Sequence, residues 1–287
     1  MRGVSSIESI RETLRGWREE NERHSQEIID FWESTLSSQI SSLGDESYVV
    51  YEQVCVAAFD CNRMDIADVC ISELSQAFPG SLRVRRLKAM KLEALERYDD
   101  ALDVLDVIIK KDETNAGPRK RKVAILKAQG KIVEAVKELT EYLKTFMADQ
   151  EAWLELCDLY LSQQELGKAA FCMEEVLLHN PFNHVYFQRY AEIRYTQGGF
   201  ENLEIARTYF CQAAKLNPSS LRALYGIVLT SSHILTSQKC QSNKKKECQK
   251  LAEWAAKQIA EVYSNCNQGN NSNQLALEGL MSSLQIS

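Results

Sequence analysis

Long apolar runs are missing from this chain. Its longest uncharged stretch of real hydrophobicity, Ala223 to Gln238, is interrupted by Ser231, Ser232 and His233, and a bilayer span needs about 20 apolar residues. The first residues, MRGVSSIESIRETLRGW, contain no apolar run of signal-peptide length, so neither secretion nor membrane spanning is expected. An excess of positive charge is also absent. With 34 Lys and Arg against 40 Asp and Glu, the net charge is −6, which argues against a nucleic-acid protein and favours solubility. Histidine is scarce, at 4 residues. His179 and His184 flank Pro181 and so do not share a helix face, and they read as ordinary loop residues. No cysteine pair stands ready to complete a metal site with them.

The 9 cysteines are odd in number and form no CxxC, so they read as reduced thiols of a cytosolic protein rather than a disulfide framework. There is no GxGxxG, P-loop or HExxH, and carboxylate pairs such as Asp99-Asp100 and Glu174-Glu175 are expected to be solvated. No catalytic residue, metal, cofactor or small-molecule substrate is indicated.

What the chain does have is a period. Ala67, Ala101, Ala135 and Ala169 lie 34 residues apart, and Ala206 follows after 37. Pro79, Pro181 and Pro218 keep the same register. Between Gln150 and Pro181, the residues Trp153, Leu156, Cys157, Tyr160 and Ala169 carry the spacing of a tetratricopeptide repeat, two helices whose small facing residues let their backbones approach. Tyr51, Trp153, Phe187 and Leu224 open the first helices at equivalent positions, and Arg85 and Arg119 stand there in the second and third units. The reading is an all-α solenoid of about five repeats plus an irregular sixth, with N-terminal capping helices.

In chain order, residues 1–47 form the capping helices, residues 48–264 the solenoid, and residues 265–287 a flexible linker with a short amphipathic segment, Leu275 to Ile286. Trp17 and Trp32 either pack on the first repeat or anchor a partner. Gly80 and Ser81 supply a turn and an N-cap, and Cys55, Cys157, Cys172 and Cys211 fall where small apolar residues are needed. The three extra residues within Gln197 to Glu204 are expected to bulge from one edge. In the sixth unit Thr236 to Glu247 reads as a mobile loop, followed by a helix from Gln249 to Ser264 with Trp254 and Ile259 on its buried side.

One charged feature stands out. Arg83, Arg85, Arg86 and Lys88 in the second repeat, and Arg119, Lys120, Arg121 and Lys122 in the third, include three pairs one period apart: Arg85 with Arg119, Arg86 with Lys120, and Lys88 with Lys122. These eight are the candidate binding residues for an acidic peptide or helix. The same pattern also fits a solvated or internally paired face.

Several segments are more specific than the general repeat. WREEN at Trp17 to Asn21, FPGS at Phe78 to Ser81, ERYDDA at Glu96 to Ala101, KAQGK at Lys127 to Lys131, DQEAW at Asp149 to Trp153, KAAFC at Lys168 to Cys172 and YTQGGFENLE at Tyr195 to Glu204 resemble the family of subunit 2 of the endoplasmic reticulum membrane protein complex. Glu113 replaces a proline that both repeat and family would place there, which loosens one turn. The resemblance implies a non-catalytic scaffold on the cytosolic face of the endoplasmic reticulum membrane. Such a scaffold holds cytosolic parts of the other subunits and touches the membrane only through them. The complex inserts transmembrane segments, tail anchors included. A co-chaperone adaptor that grips a chaperone's C-terminal carboxylate is the alternative, but Met90 and Ala124 stand where its groove would want asparagine.

Overall fold

Helical hairpins account for nearly all of the computed structural model, which describes residues 6–266 and residue 279. Of the expected linker and the segment Leu275 to Ile286, all but residues 265, 266 and 279 lie outside the described residues. The fold is all-α and of the tetratricopeptide-repeat class. It divides into two compact units, residues 1–138 and 139–287.

In the first unit, α1 (Ile7–Glu19) and α2 (Ser25–Phe31) lead through a π-helical turn at Trp32–Leu36, α3 (Ser37–Gln39) and a 3-10 turn at Ile40–Leu43 to the first repeat. Ile10, Leu14, Ile28 and Ile29 join Val50 and Val54 in one buried cluster. Trp32 is buried, with its ring 5.9 Å from Tyr51, and Trp17 is half-buried and stacked on His24 and Phe31. Both tryptophans therefore pack inward. The repeats follow as α4 (Glu46–Asp60) with α5 (Met64–Ala77), α6 (Leu82–Ala94) with α7 (Tyr98–Lys111), and α8 (Ala116–Ala128) with the start of α9 (Ile132–Thr145).

The second unit takes the rest of α9, then α10 (Gln150–Ser162) with α11 (Leu166–His179), α12 (His184–Gln197) with α13 (Phe200–Leu216), and α14 (Leu221–Thr236) with α15 (Ser242–Cys266). His179 and His184 thus close one helix and open the next instead of lying in a loop.

The alanines of the period are fully buried, as close helix approach requires. Gly226 makes the same point more sharply: a Cβ there would meet the Phe210 ring at 2.4 Å. The hairpins of the first four repeats each reverse through one residue with positive φ, namely Asn62, Glu96, Gly130 and Gln164, and the fifth through two, Gly198 and Gly199, a conformation that favours glycine and, among the others, asparagine.

First helices are capped by the residue just before them. Asn115, Asp149, Asn183 and Ser220 each accept a backbone N–H with the side chain, whereas Ser81 occupies the cap position without such a bond. The turn with Glu113 in the proline position keeps the bonds of a turn that has the proline: Thr114 donates both its N–H and its Oγ1 hydroxyl to Asp112, just as Ser219 beside Pro218 does to Asn217.

Three local expectations are corrected. The insertion does not bulge. Gly198 and Gly199 turn the chain, and the extra residues lengthen α13 to 17 residues against 14 for α11. The polar stretch after α14 is a short link, because α15 already begins at Ser242. That start is fixed by Phe200, Leu203 and Leu235 packing on Ile234, Cys240 and Cys248. Along α15, Ile259 is buried but Trp254 is 45% exposed. The described cysteines are free; Cys55, Cys157 and Cys172 are buried, and Cys211 is half-buried.

Candidate partner-binding site

The eight basic residues do not share one direction. Residues three or four apart on a helix share a side, whereas residues one or two apart do not, and their partners show it. Arg83 and Arg86 on α6 reach back to α4, where Glu52 receives both guanidinium groups at 2.5 and 3.0 Å. Arg121 on α8 pairs with Glu93 of α6 at 2.6 Å. Lys122 turns to the second helices and meets Asp106 and Glu138 at 3.0 and 3.2 Å. Burial alone would lower the Lys122 pKa, but the bonds to Asp106 and Glu138 win and hold it above its ordinary value.

The remaining members are placed as follows. Lys88 is exposed, Arg85, Arg119 and Lys120 are half-buried, and Arg85, Lys88 and Arg119 form no ion pair among the described residues. The Arg119 Nε is buried without a hydrogen-bond acceptor.

The structure therefore gathers Arg83 and Arg86 around a carboxylate and leaves the other basic residues at separate points on α6 and α8. The Glu52 contact was missed in the sequence, though a signal was present. Glu52 and Arg86 are 34 residues apart, so they occupy the same position in neighbouring repeats.

Two cavities meet at that ion pair. One, of about 500 Å³, is lined by Tyr48, Leu74, Phe78, Val84 and Leu87 with Asp45 at its rim. Its aromatic wall is exposed: Tyr48 and Phe78 meet edge to face at 4.8 Å. The other, of about 450 Å³, runs past Trp17, His24, Ile28 and Asp60. Its charges are already engaged. The bond that His24 donates to Glu22 raises the His24 pKa, and although burial works against it, the bond from Arg23 leaves Asp60 below the ordinary carboxylate range. Val49, Glu52 and Arg83 line both cavities.

The second unit carries its own depression, about 430 Å³, where Leu143, Met147, Trp153, Leu156 and Phe171 line an apolar wall. The Trp153 indole donates to the Met147 carbonyl at 2.8 Å. Among the described residues, no cluster of His, Cys, Asp and Glu is arranged to hold a metal.

Comparison with known proteins gives these surfaces a context. Residues 68–200 match the family model described as the EMC2 TPR-like repeat domain. ER membrane protein complex subunit 2-B of Xenopus laevis is 48% identical over 282 residues, covering 97% of this chain and 95% of the relative. The subunit 2 protein of Dictyostelium discoideum is 34% identical over 267 residues, covering 88% and 82%. Among solved structures, the C-terminal part of a tetratricopeptide-repeat protein of Cytophaga hutchinsonii superposes with a TM-score of 0.60 at 15% identity, over 94% of this chain and 98% of that one. This last likeness speaks to the fold alone.

Proposed function

Because the chain belongs to the family of ER membrane protein complex subunit 2, we propose that it is a non-catalytic scaffold subunit of that complex. In this reading it sits on the cytosolic face of the endoplasmic reticulum membrane and binds cytosolic segments of the other subunits. It thereby supports insertion of transmembrane segments, tail anchors among them. The observation that carries the reading is the identity over 97% of the chain. The physical support is a helical-repeat fold whose surfaces are grooves and charges.

Arg83, Arg85, Arg86, Lys88, Arg119, Lys120, Arg121 and Lys122 are the residues we propose for acidic partner segments, with Arg86 and Lys120 at their centre. The co-chaperone reading gains nothing from the site, since Met90 packs against the apolar cluster of the first repeat and Ala124 carries no amide.

The test is charge reversal in the full chain. Arg86→Glu with Lys120→Glu should reduce co-purification of membrane-embedded subunits severalfold in a chain that circular dichroism shows to be still helical and cooperatively folded. Lys245→Glu with Lys246→Glu is the control, because Lys244 is engaged by Glu204 and lies over the Phe200 ring. Equal losses in both variants would indicate general attraction to a charged surface. Full recovery of the membrane subunits with the Arg86 and Lys120 variant would remove the basic residues from the proposal.

A further inference from the structure

We infer that Glu52 is an internal stand-in for a partner's carboxylate, and that the Arg83–Arg86 pair with the adjoining aromatic cavity binds an acidic segment bearing a large apolar side chain beside its acid. This rests on the reading of the chain as a partner-binding scaffold and names the chemistry of the partner at that face.

The argument begins with the carboxylate. Glu52 offers one oxygen to each of two guanidinium groups, Oε2 to Arg83 at 2.5 Å and Oε1 to Arg86 at 3.0 Å, which is the bridging geometry by which arginine recognises an acid. The bond is accessible. The Arg83 side chain is 65% exposed and that of Glu52 15%, so an incoming carboxylate reaches Arg83 from solvent first and takes over the place of Glu52 from there.

The second element is apolar. Against the same ion pair opens the cavity of about 500 Å³ walled by Tyr48, Phe78, Leu74, Val84 and Leu87, within the size range of sites that receive bulky side chains or small ligands. Charge fixes the order of the two features. Asp45 stands at the rim and repels a second acid there, so the ligand's carboxylate belongs on the arginine side and its apolar group between Tyr48 and Phe78. Glu52 and Arg83 also wall the neighbouring cavity beside Trp17, so turning Glu52 away joins the two depressions along α4 and gives the segment a path beyond its anchor.

The sign of the prediction is unusual. Removing an acid that competes with the ligand should strengthen binding. A phage-displayed library of random 12-residue peptides, panned on the full chain, should enrich sequences with Asp or Glu beside Trp, Phe or Leu. A synthetic copy of the enriched peptide, followed by fluorescence anisotropy, should bind Glu52→Gln about fivefold tighter than wild type, because the competing charge is gone. It should bind Arg83→Glu and Phe78→Ala at least tenfold more weakly.

Circular dichroism melting confirms that each variant is folded. Absence of such enrichment, enrichment of acidic peptides without an apolar residue, or unchanged or weaker binding by Glu52→Gln would overturn the inference. Co-purification of the wild-type chain with membrane subunits is scored separately. If it succeeds while the peptide result fails, the scaffold reading stands without this site; if it fails, the scaffold reading itself falls.

Discussion

Burial keeps a set of thiols in this chain protonated far above the range in which a free cysteine ionises. Desolvation, with Glu52 nearby, pushes Cys55 up to about 12, and desolvation also raises Cys172 to about 12 and Cys157 to about 11. Cys70, packed deeper and beside Cys55, is raised as well. The arrangement repeats, since Cys157 and Cys172 follow Cys55 and Cys70 at three whole periods. A raised pKa in the folded state means that this contribution to stability is intact below about pH 9, the ordinary thiol value. It is lost as pH climbs toward the folded values, because the unfolded chain releases protons that the native state retains.

The melting temperature should therefore fall between pH 9 and 11, with each thiol contributing up to about 1.4 kcal/mol per pH unit. Alanine at Cys55 and Cys157 together should flatten the slope, and a flat wild-type profile would contradict the burial. The positions of Cys55, Cys157 and Cys172 were legible because the repeat register marks where small apolar residues must go; Cys70 was not singled out. The Glu52 bridge was harder to see, since sequence spacing places side chains on a helix but does not say which neighbour each will reach.

Among the elements, α13 shows how an insertion is absorbed. Its location was legible as a break in the alanine spacing, but its fate was not, because polar and glycine-rich residues suit a loop as well as a helix start. The added turn brings Phe200 and Leu203 against Ile234, Cys240 and Cys248, and Lys244 pairs with Glu204 over the Phe200 ring. The beginning of α15 thus rests on residues contributed by the insertion. Phe200→Ala should raise amide hydrogen exchange in residues 242–248 by roughly tenfold, the equivalent of losing about 1–2 kcal/mol of local burial. Exchange in α10 and α11 should stay unchanged. Equal protection of 242–248 in both proteins would mean that α15 stands without this support. Trp254 was misplaced because a tryptophan at helical spacing is ordinarily buried, whereas in α15 Ala252, Ala255 and Ile259 already fill the inward side.

For the whole molecule, none of the described helices is long and apolar enough to cross a membrane. The proposed place on the cytosolic face therefore makes a fractionation prediction: the chain should sediment with membranes, yet leave them in alkaline carbonate or in urea. Retention under both treatments would require an anchor of its own. The fold class was legible in full from a handful of alanines and prolines, since close helix approach permits little else at those sites.

The reversal residues were not legible in the same way, because glutamate and glutamine serve at Glu96 and Gln164 alongside glycine and asparagine elsewhere. Their torsion angles nonetheless keep time. Residues 62, 96, 130, 164 and 198 all turn left-handed at an unbroken beat of 34, and the three added residues enter only after the last of them. The insertion therefore lengthens one stroke, and the landmarks beyond it, Ala206 and Pro218, arrive three residues late. A chain built this way tolerates additions just past a reversal. The same three residues placed just before one would lengthen the first helix of that hairpin instead, since each repeat packs only on its neighbours.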